Sequence, residues 1–94
     1  MLKIRSEGET KNKAVRLRRI AVKINNSQDF GKMLRKRRKQ LGYTQKYLSD
    51  FTGFSVSFIS DLENGKETIE IGRAFKLANT LGLDIELNER GTYK

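Results

Sequence analysis

A run of basic side chains with no acidic neighbour is the first feature of this sequence that could bind a ligand. No Asp or Glu lies between Gly31 and Asp50, while six cations occur within eight positions, namely Lys32, Arg35, Lys36, Arg37, Arg38 and Lys39. Guanidinium and ammonium groups form charge-assisted hydrogen bonds with phosphate oxygens. Because a solvated helix face usually mixes both signs of charge, we predict that Arg35, Lys36 and Arg38 contact phosphates.

The formal net charge of +9 is concentrated in one half of the chain. Residues 1–40 hold 14 Lys and Arg against three acids, a net charge of +11, whereas residues 41–94 carry a net charge of −2. This distribution favours nucleic acid as the partner of the basic half, over an anionic membrane or solubility alone. The chain has no Cys and no His, which excludes zinc fingers, disulfides and histidine-based catalysis.

The length of 94 residues fits one domain, and it is near the lower limit for a core that folds without help. No apolar run approaches the roughly 20 residues that span a bilayer, and no secretory signal is recognisable. We therefore expect a cytoplasmic protein that does not bind a membrane. No glycine-rich phosphate loop or catalytic carboxylate pair occurs, so we expect neither an enzyme nor a metal or other cofactor.

Two short helices joined by a glycine turn are predicted within residues 44–66. Thr44 can cap the first helix, which ends at Gly53, and the second begins at Ser55 and ends at Asn64. The apolar residues that can meet behind the turn are Leu48, Ile59 and Leu62. This arrangement is a helix-turn-helix, whose second helix can enter the major groove of DNA.

One further helix is predicted on each side of this unit. The earlier helix begins at Asn26 or Ser27 and ends at Gly42, with an apolar stripe of Phe30, Leu34 and Leu41. The later helix ends at Gly82, with a stripe of Ile71, Ala74, Phe75, Ala78 and Leu81. Glu70 is a weak start for this later helix, so we expect its first turn to fray.

The C-terminal segment alternates apolar and acidic residues, as a half-buried strand does. Leu83, Ile85 and Leu87 are its apolar positions. A single strand exposes an unpaired edge, so these three residues are predicted to form the dimerisation contact with a second protomer. The alternative is that the N-terminal segment of the same chain pairs with this strand.

Residues 1–25 form a basic N-terminal arm for which three interpretations stay open. Residues 14–24 show both helical spacing and strand-like alternation of their apolar residues. The segment is either solvated, or it touches DNA phosphates or the minor groove, or it becomes ordered on a protein partner.

The helix-turn-helix segment carries a set of fixed spacings that resembles the Xre, or lambda-repressor-like, family. The matching positions are Thr44-Gln45, Leu48, Gly53, Ile59-Ser60 and the run Leu62 to Lys66. With its flanking helices the segment is most similar to the HipB-type antitoxin regulators. The resemblance implies an all-α bundle of four to five helices over residues 26–88 with a short C-terminal dimerisation strand, followed by a tail at 89–94.

The resemblance also assigns DNA-contacting roles to individual residues. Those implied to face bases are Ser55, Val56, Ser57 and Asp61, and those implied to contact phosphates outside the first helix are Gln45, Ser60, Asn64 and Lys66. Serines are short and Val56 offers only a methyl contact, best suited to thymine, so direct readout is expected to be modest. Asp61 has an equally good intramolecular role, and Phe58 either packs or touches DNA. Glu63 is expected to pair with a base of the first helix.

Charge and motif together predict DNA binding. With the dimer expected from the C-terminal strand and the role implied by the resemblance, we expect a homodimeric, sequence-specific repressor with a palindromic double-stranded DNA operator. The resemblance further implies an antitoxin that represses its own operon and binds a HipA-like kinase toxin. Two alternatives use the same fold. One is a protein-interaction module that has lost DNA binding, and the other is a phage-type repressor unrelated to a toxin.

Overall fold

The computed structural model describes residues 21–91, and four α-helices lie within that range. They are α1 (Ser27–Gln40), α2 (Gln45–Thr52), α3 (Val56–Glu63) and α4 (Ile71–Thr80). The predicted all-α bundle is confirmed, with α2 and α3 as the two helices of the helix-turn-helix. The N-terminal arm up to residue 20 lies outside the described residues.

Residues 83–89, where a short strand was predicted, have no regular secondary structure in the described chain. A strand is defined by its hydrogen-bonded ladder to a neighbour, and the single protomer supplies no neighbouring strand within residues 21–91. The strand therefore stays a prediction, and so does its partner, which is either a second protomer or the N-terminal segment, most of which lies outside the described residues.

A side-chain oxygen caps the start of every helix in residues 21–91, and it accepts a backbone N–H at 2.7–3.0 Å. The capping residues are Asn26, Thr44, Ser55 and Glu70. The expectation of a weak start for α4 is wrong, because Oε1 of Glu70 accepts the backbone N–H of Arg73 at 2.8 Å. Glu70 thus supplies the cap that its residue type did not suggest.

The core lies between the inner faces of all four helices and consists of Leu34, Leu48, Ile59, Leu62, Ala74, Leu77, Ala78 and Leu81. One part of the predicted α4 stripe is wrong. Ile71 and Phe75 are 64% and 41% exposed, whereas Leu77 is fully buried. Because α4 has apolar residues on more than one face, spacing alone did not show which face points inward.

Gly31 allows α1 and α3 to cross in close contact. A Cβ atom at this position would overlap the carbonyl oxygen of Leu62 and lie 2.6 Å from that of Glu63. Only a glycine hydrogen fits there. A second contact follows nearby, where the Ser27 hydroxyl donates to the carbonyl of Gly65 at 2.9 Å. These contacts hold the C-terminal end of α3 against the first half of α1.

Candidate nucleic-acid interface

The outward face of α3 carries two of the residues predicted to face bases. Ile59, Leu62 and Glu63 are buried on the inner face. On the first turn, Val56 is 39% exposed although it is apolar, and Ser57 beside it is exposed. The first turn of α3 therefore offers methyl groups and a hydroxyl to an approaching groove, which is the chemistry of a thymine contact and a polar base-edge contact.

Ser55 and Asp61, the other two predicted base-facing residues, each have a partner within the chain. The Ser55 Oγ accepts the backbone N–H of Phe58 at 3.0 Å, so its oxygen caps α3 while its O–H stays free to rotate. Asp61 Oδ2 lies 3.4 Å from Lys66 Nζ. This ion pair agrees with the intramolecular role that was the alternative for Asp61. Contact with a base stays a prediction for both Ser55 and Asp61.

The cations of α1 fall into two groups. Lys32, Arg35, Lys36 and Lys39 are exposed. Arg37 is half-buried, and its Nε donates to the carbonyl oxygen of Leu81 at 2.8 Å, beyond the end of α4. Through this hydrogen bond the Arg37 side chain stabilises the C-terminus of α4. The exposed group, which includes the predicted phosphate contacts Arg35 and Lys36, is the part of the cluster that is available to a polyanion.

Arg38 does not belong with the exposed cations, which corrects its grouping with Arg35 and Lys36. Its side chain is buried beside Glu63, with Nε 2.6 Å from Oε2 and Nη2 2.9 Å from Oε1. The hydrogen bond to Glu63 raises the pKa of the Arg38 guanidinium, although burial lowers it. The run of basic residues in the sequence does not indicate that Arg38 is buried while its neighbours are exposed, because its burial depends on contact with Glu63 of α3. The expected pairing of Glu63 with a base of the first helix is present here.

Gln45, predicted as a phosphate contact, opens α2 and is tied to the same buried pair. Its Nε2 donates to Oε1 of Glu63 at 3.1 Å, and its side chain is half-buried. The N-terminal turn of an α-helix leaves backbone N–H groups without intrahelical partners and favours anions. Gln45 therefore lies at a helix end suited to a phosphate.

The remaining predicted phosphate contacts lie toward the end of α3 and just beyond it. Lys66 and Asn64 are exposed, and Ser60 is half-buried. Asn64 Nδ2 donates weakly to Ser60 Oγ, at 3.4 Å. Phe58 is half-buried against the core, with its ring centroid 5.2 Å from that of Phe54. This contact is the packing role weighed for Phe58.

The three residues predicted to form the dimer contact divide between the core and the surface. Leu83 packs against the core, and its backbone N–H donates to the carbonyl of Ala78 at 3.0 Å. Ile85 and Leu87 are 42% and 97% exposed and line a shallow recess with Phe75. The recess thus joins the C-terminal segment to the exposed face of α4.

One surface feature was not predicted: an aromatic row along α2. The ring centroids of Tyr43 and Tyr47 are 5.0 Å apart, and those of Tyr47 and Phe51 are 6.2 Å apart with nearly parallel planes. Tyr47 and Phe51 are 50% and 63% exposed. The signal was present in the sequence, because a spacing of four residues places Tyr47 and Phe51 on one face of α2. Tyr43 lies in the turn before the helix and continues the row.

Residues 21–91 contain neither a candidate metal site nor a candidate membrane-spanning helix. That part of the chain contains no group of three or more His, Cys, Asp or Glu side chains that could hold a metal ion. It also contains no helix long and apolar enough to cross a bilayer.

Comparison with known proteins gives consistent matches. The sequence pattern of the family described as Helix-turn-helix matches residues 34–88. The chain is similar to the HTH-type transcriptional regulator y4mF of Sinorhizobium fredii, with 35% identity over 68 residues that cover 72% of this chain and 90% of the relative. It is also similar to YonR, an SPbeta prophage-derived HTH-type transcriptional regulator of Bacillus subtilis, with 33% identity over 64 residues, 68% of this chain and 59% of YonR.

A similar fold occurs in a solved structure described as a HipB-O4 20mer complex. The TM-score is 0.67 at 26% sequence identity, and the match covers 74% of this chain and 99% of that chain.

Proposed function

Because this chain belongs to the helix-turn-helix family, we propose that it is a homodimeric transcriptional repressor that binds a palindromic DNA operator. The observation that carries the proposal is the exposed first turn of α3, with Val56 and Ser57 facing outward from a helix whose other face is buried. The +11 charge of residues 1–40 supplies the attraction to DNA.

Sequence recognition and affinity are assigned to different residues. Val56 is suited to the methyl group of thymine, and Ser57 can donate to or accept from a base edge. Neither forms the bidentate contacts that Arg, Gln or Asn form. Affinity therefore rests on phosphate contacts, for which the exposed cations Arg35, Lys36 and Lys66 are the candidates. Sequence-dependent DNA shape contributes the remaining discrimination.

Dimerisation is assigned to the recess formed by Phe75, Ile85 and Leu87. Three large apolar side chains exposed together on a small protein favour a protein contact. A second copy of the chain can cover them with its own recess and pair the two C-terminal segments as strands, which satisfies the open edge of each. This contact would fix the distance between the two α3 helices.

We further propose that the repressor is an antitoxin that binds a HipA-like kinase toxin and represses the operon of both. The support is the similarity to HipB in fold and, at 26% identity, in sequence. A phage-type repressor unrelated to a toxin is the second candidate, and the similarity to the prophage-derived YonR favours it. The two candidates differ in one readout: only the antitoxin forms a stable complex with a kinase encoded beside it.

The experiment that tests DNA recognition is selection of duplexes from a random pool by the full chain. The enriched duplex is then compared with a scrambled duplex of the same composition at one fixed salt concentration. A repressor prefers the enriched duplex by on the order of a thousandfold or more. Equal affinity for both would support instead the protein-interaction module, because a polycation binds any duplex. An enriched site without two-fold symmetry would contradict the dimer.

A further inference from the structure

A shallow groove of about 270 Å³ lies between residues 22–24 and the outer face of α1. The groove has an apolar floor and a basic rim. The floor consists of Val22, Ile24 and Met33, and the rim of Lys23, Lys32 and Lys36. Val22 and Ile24 are 53% and 41% exposed. Asp29, the acidic residue of the lining, accepts the backbone N–H of Asn25 at 3.2 Å. The groove therefore combines exposed apolar side chains with positive charge.

The chemistry of the groove fits a peptide that carries both apolar and acidic side chains. A DNA backbone would contact the rim and leave the apolar floor uncovered. Residues 83–89 of this chain alternate apolar and acidic side chains, with three acidic residues and no basic one. Leu87 in this segment is 97% exposed. On the basis of the dimer proposed above, we propose that the groove receives Leu87 of a second copy of the chain.

The position of the groove favours a second copy over the C-terminal segment of the same chain. Met33 lies one turn before Arg37 on α1, and Arg37 Nε donates to the carbonyl oxygen of Leu81 at 2.8 Å. The groove is thus close to the start of the C-terminal segment. Within one protomer Leu87 lies beside Phe75, which is roughly 9 Å before Leu81 along α4. The segment therefore leads away from the groove of its own protomer.

Antiparallel pairing of two C-terminal segments brings Leu87 of the second copy back to this groove. The register that places apolar residues opposite each other has Ile85 on the two-fold axis and Leu83 opposite Leu87 of the second copy. Side chains that are opposite each other in an antiparallel pair point to the same face. Leu83 packs against the core. Leu87 of the second copy therefore points toward the body of the first protomer, on the side where α1 contacts Leu81.

Charge favours the same contact. The second copy brings Asp84, Glu86 and Glu89 close to a rim that carries three lysines. Complementary charges around an apolar contact steer association and select the correct register. Because the dimer has two-fold symmetry, each dimer contains two such contacts. Residues 22–24 thereby become part of the dimer interface, next to the recess of Phe75, Ile85 and Leu87.

The test is disulfide trapping in the full chain, which has no cysteine of its own. A ¹⁵N-labelled Met33→Cys variant is mixed with an unlabelled Leu87→Cys variant and oxidised. We expect a covalent pair of one labelled and one unlabelled chain, because a disulfide forms only where the two Cα atoms approach within about 7 Å. Gln40→Cys, at an exposed position of α1 outside the groove, replaces Met33→Cys in the control and should give no such pair.

Sedimentation of variants of the groove supplies a second readout. Val22→Ser/Lys32→Glu changes the groove and leaves the recess and the candidate phosphate contacts intact. We expect it to raise the dissociation constant of the dimer at least about tenfold, because apolar burial and charge attraction are lost at both grooves. Lys39→Glu, at an exposed position of α1 outside the groove, makes the same change of charge. That control should alter the constant by less than about threefold.

The outcomes separate this contact from the dimer itself. A dimer that forms neither the disulfide between Met33→Cys and Leu87→Cys nor a weaker complex in the groove variant would overturn the proposal and leave the recess as the interface. A disulfide within one chain of the Met33→Cys/Leu87→Cys double variant would also overturn it, because the chain's own segment would then fill the groove. A wild-type chain that sediments only as a monomer would contradict the dimer of the proposed function, so the two failures are distinguishable.

Discussion

Replacement of Gly31 by Ala tests the close crossing of α1 and α3. In an isolated helix this change is favourable, because Ala stabilises a helix interior by about 1 kcal/mol relative to Gly. In this fold the added methyl group would overlap the carbonyl oxygen of Leu62 and stand 2.6 Å from the oxygen and 2.8 Å from the carbon of the Glu63 carbonyl. These neighbours are backbone atoms, so they cannot rotate away.

The expected cost follows from how far the helices must separate. Carbon and oxygen atoms without a bond are normally more than 3 Å apart, so α3 has to move by on the order of 1 Å. Overpacking of this kind typically costs about 1 to 3 kcal/mol, and the lost contacts of α3 with the core add to it. After the gain from the helix preference of Ala is subtracted from this cost, we expect the free energy of unfolding to fall by about 2 kcal/mol or more.

Thermal denaturation followed by circular dichroism measures this loss. For a domain of this size, about 2 kcal/mol corresponds to a fall in Tm of roughly 8 to 16 °C. Gly72→Ala is the matched control, since its Cβ would meet only the flexible carboxylate of Glu70 at 3.3 Å. The gain in helix preference and any displacement of the Glu70 cap act in opposite directions, so that variant should stay within about 1 kcal/mol of the wild type. If Gly31→Ala behaved like Gly72→Ala, the close crossing would be refuted.

Four further predictions concern the surface. Replacing Arg35 and Lys36 with Ala should weaken binding to all duplexes alike and reduce the salt slope by about 0.9 per lost phosphate contact; an unchanged slope would remove them from the interface. Val56→Ala should cost about 1 kcal/mol at one thymine position in a binding assay with substituted duplexes, so a uniform loss would contradict methyl recognition. Ser55→Ala should lower the free energy of unfolding by about 1 kcal/mol through loss of the α3 cap, whereas Ser57→Ala should change it by less than about 0.5 kcal/mol; equal losses would argue against the cap. Ile85→Asp should sediment as a folded monomer, and an intact Ile85→Asp dimer would contradict the role of the recess. Leu83→Asp should instead lower Tm in thermal denaturation, because Leu83 packs against the core.

Sequence reasoning located the helices because their limits are set by local chemistry. Thr44, Ser55 and Gly53 act within a few residues of their own positions, so caps and turns could be recognised without the fold. Gly31 had no such signal. A glycine inside a helical pattern is a local defect, and its reason is a carbonyl of α3 that is remote in the sequence.

The site was only partly predictable for a related reason. The basic run of α1 showed that cations are present but not which of them face solvent. Arg38 binds Glu63, 25 residues further along the chain, and Arg37 binds the carbonyl of Leu81, 44 residues further along. Neither partner could be recognised from the basic run itself. The inward face of α4 is unpredictable for the same reason, since Phe75 and Leu77 are both apolar and only the packing of the other helices distinguishes them.

The aromatic row on α2 also gives the protein an internal optical reporter. The chain has no Trp and three Tyr, so its emission under excitation near 280 nm comes from tyrosine alone. Tyr43 and Tyr47 are on either side of Gln45, and Tyr47 is half-exposed and stacked on Phe51. A phosphate that approaches the start of α2 would change the surroundings of both rings. Tyrosine emission of a Tyr93→Phe variant, which keeps only these two tyrosines, can therefore follow binding at this helix end without an attached dye.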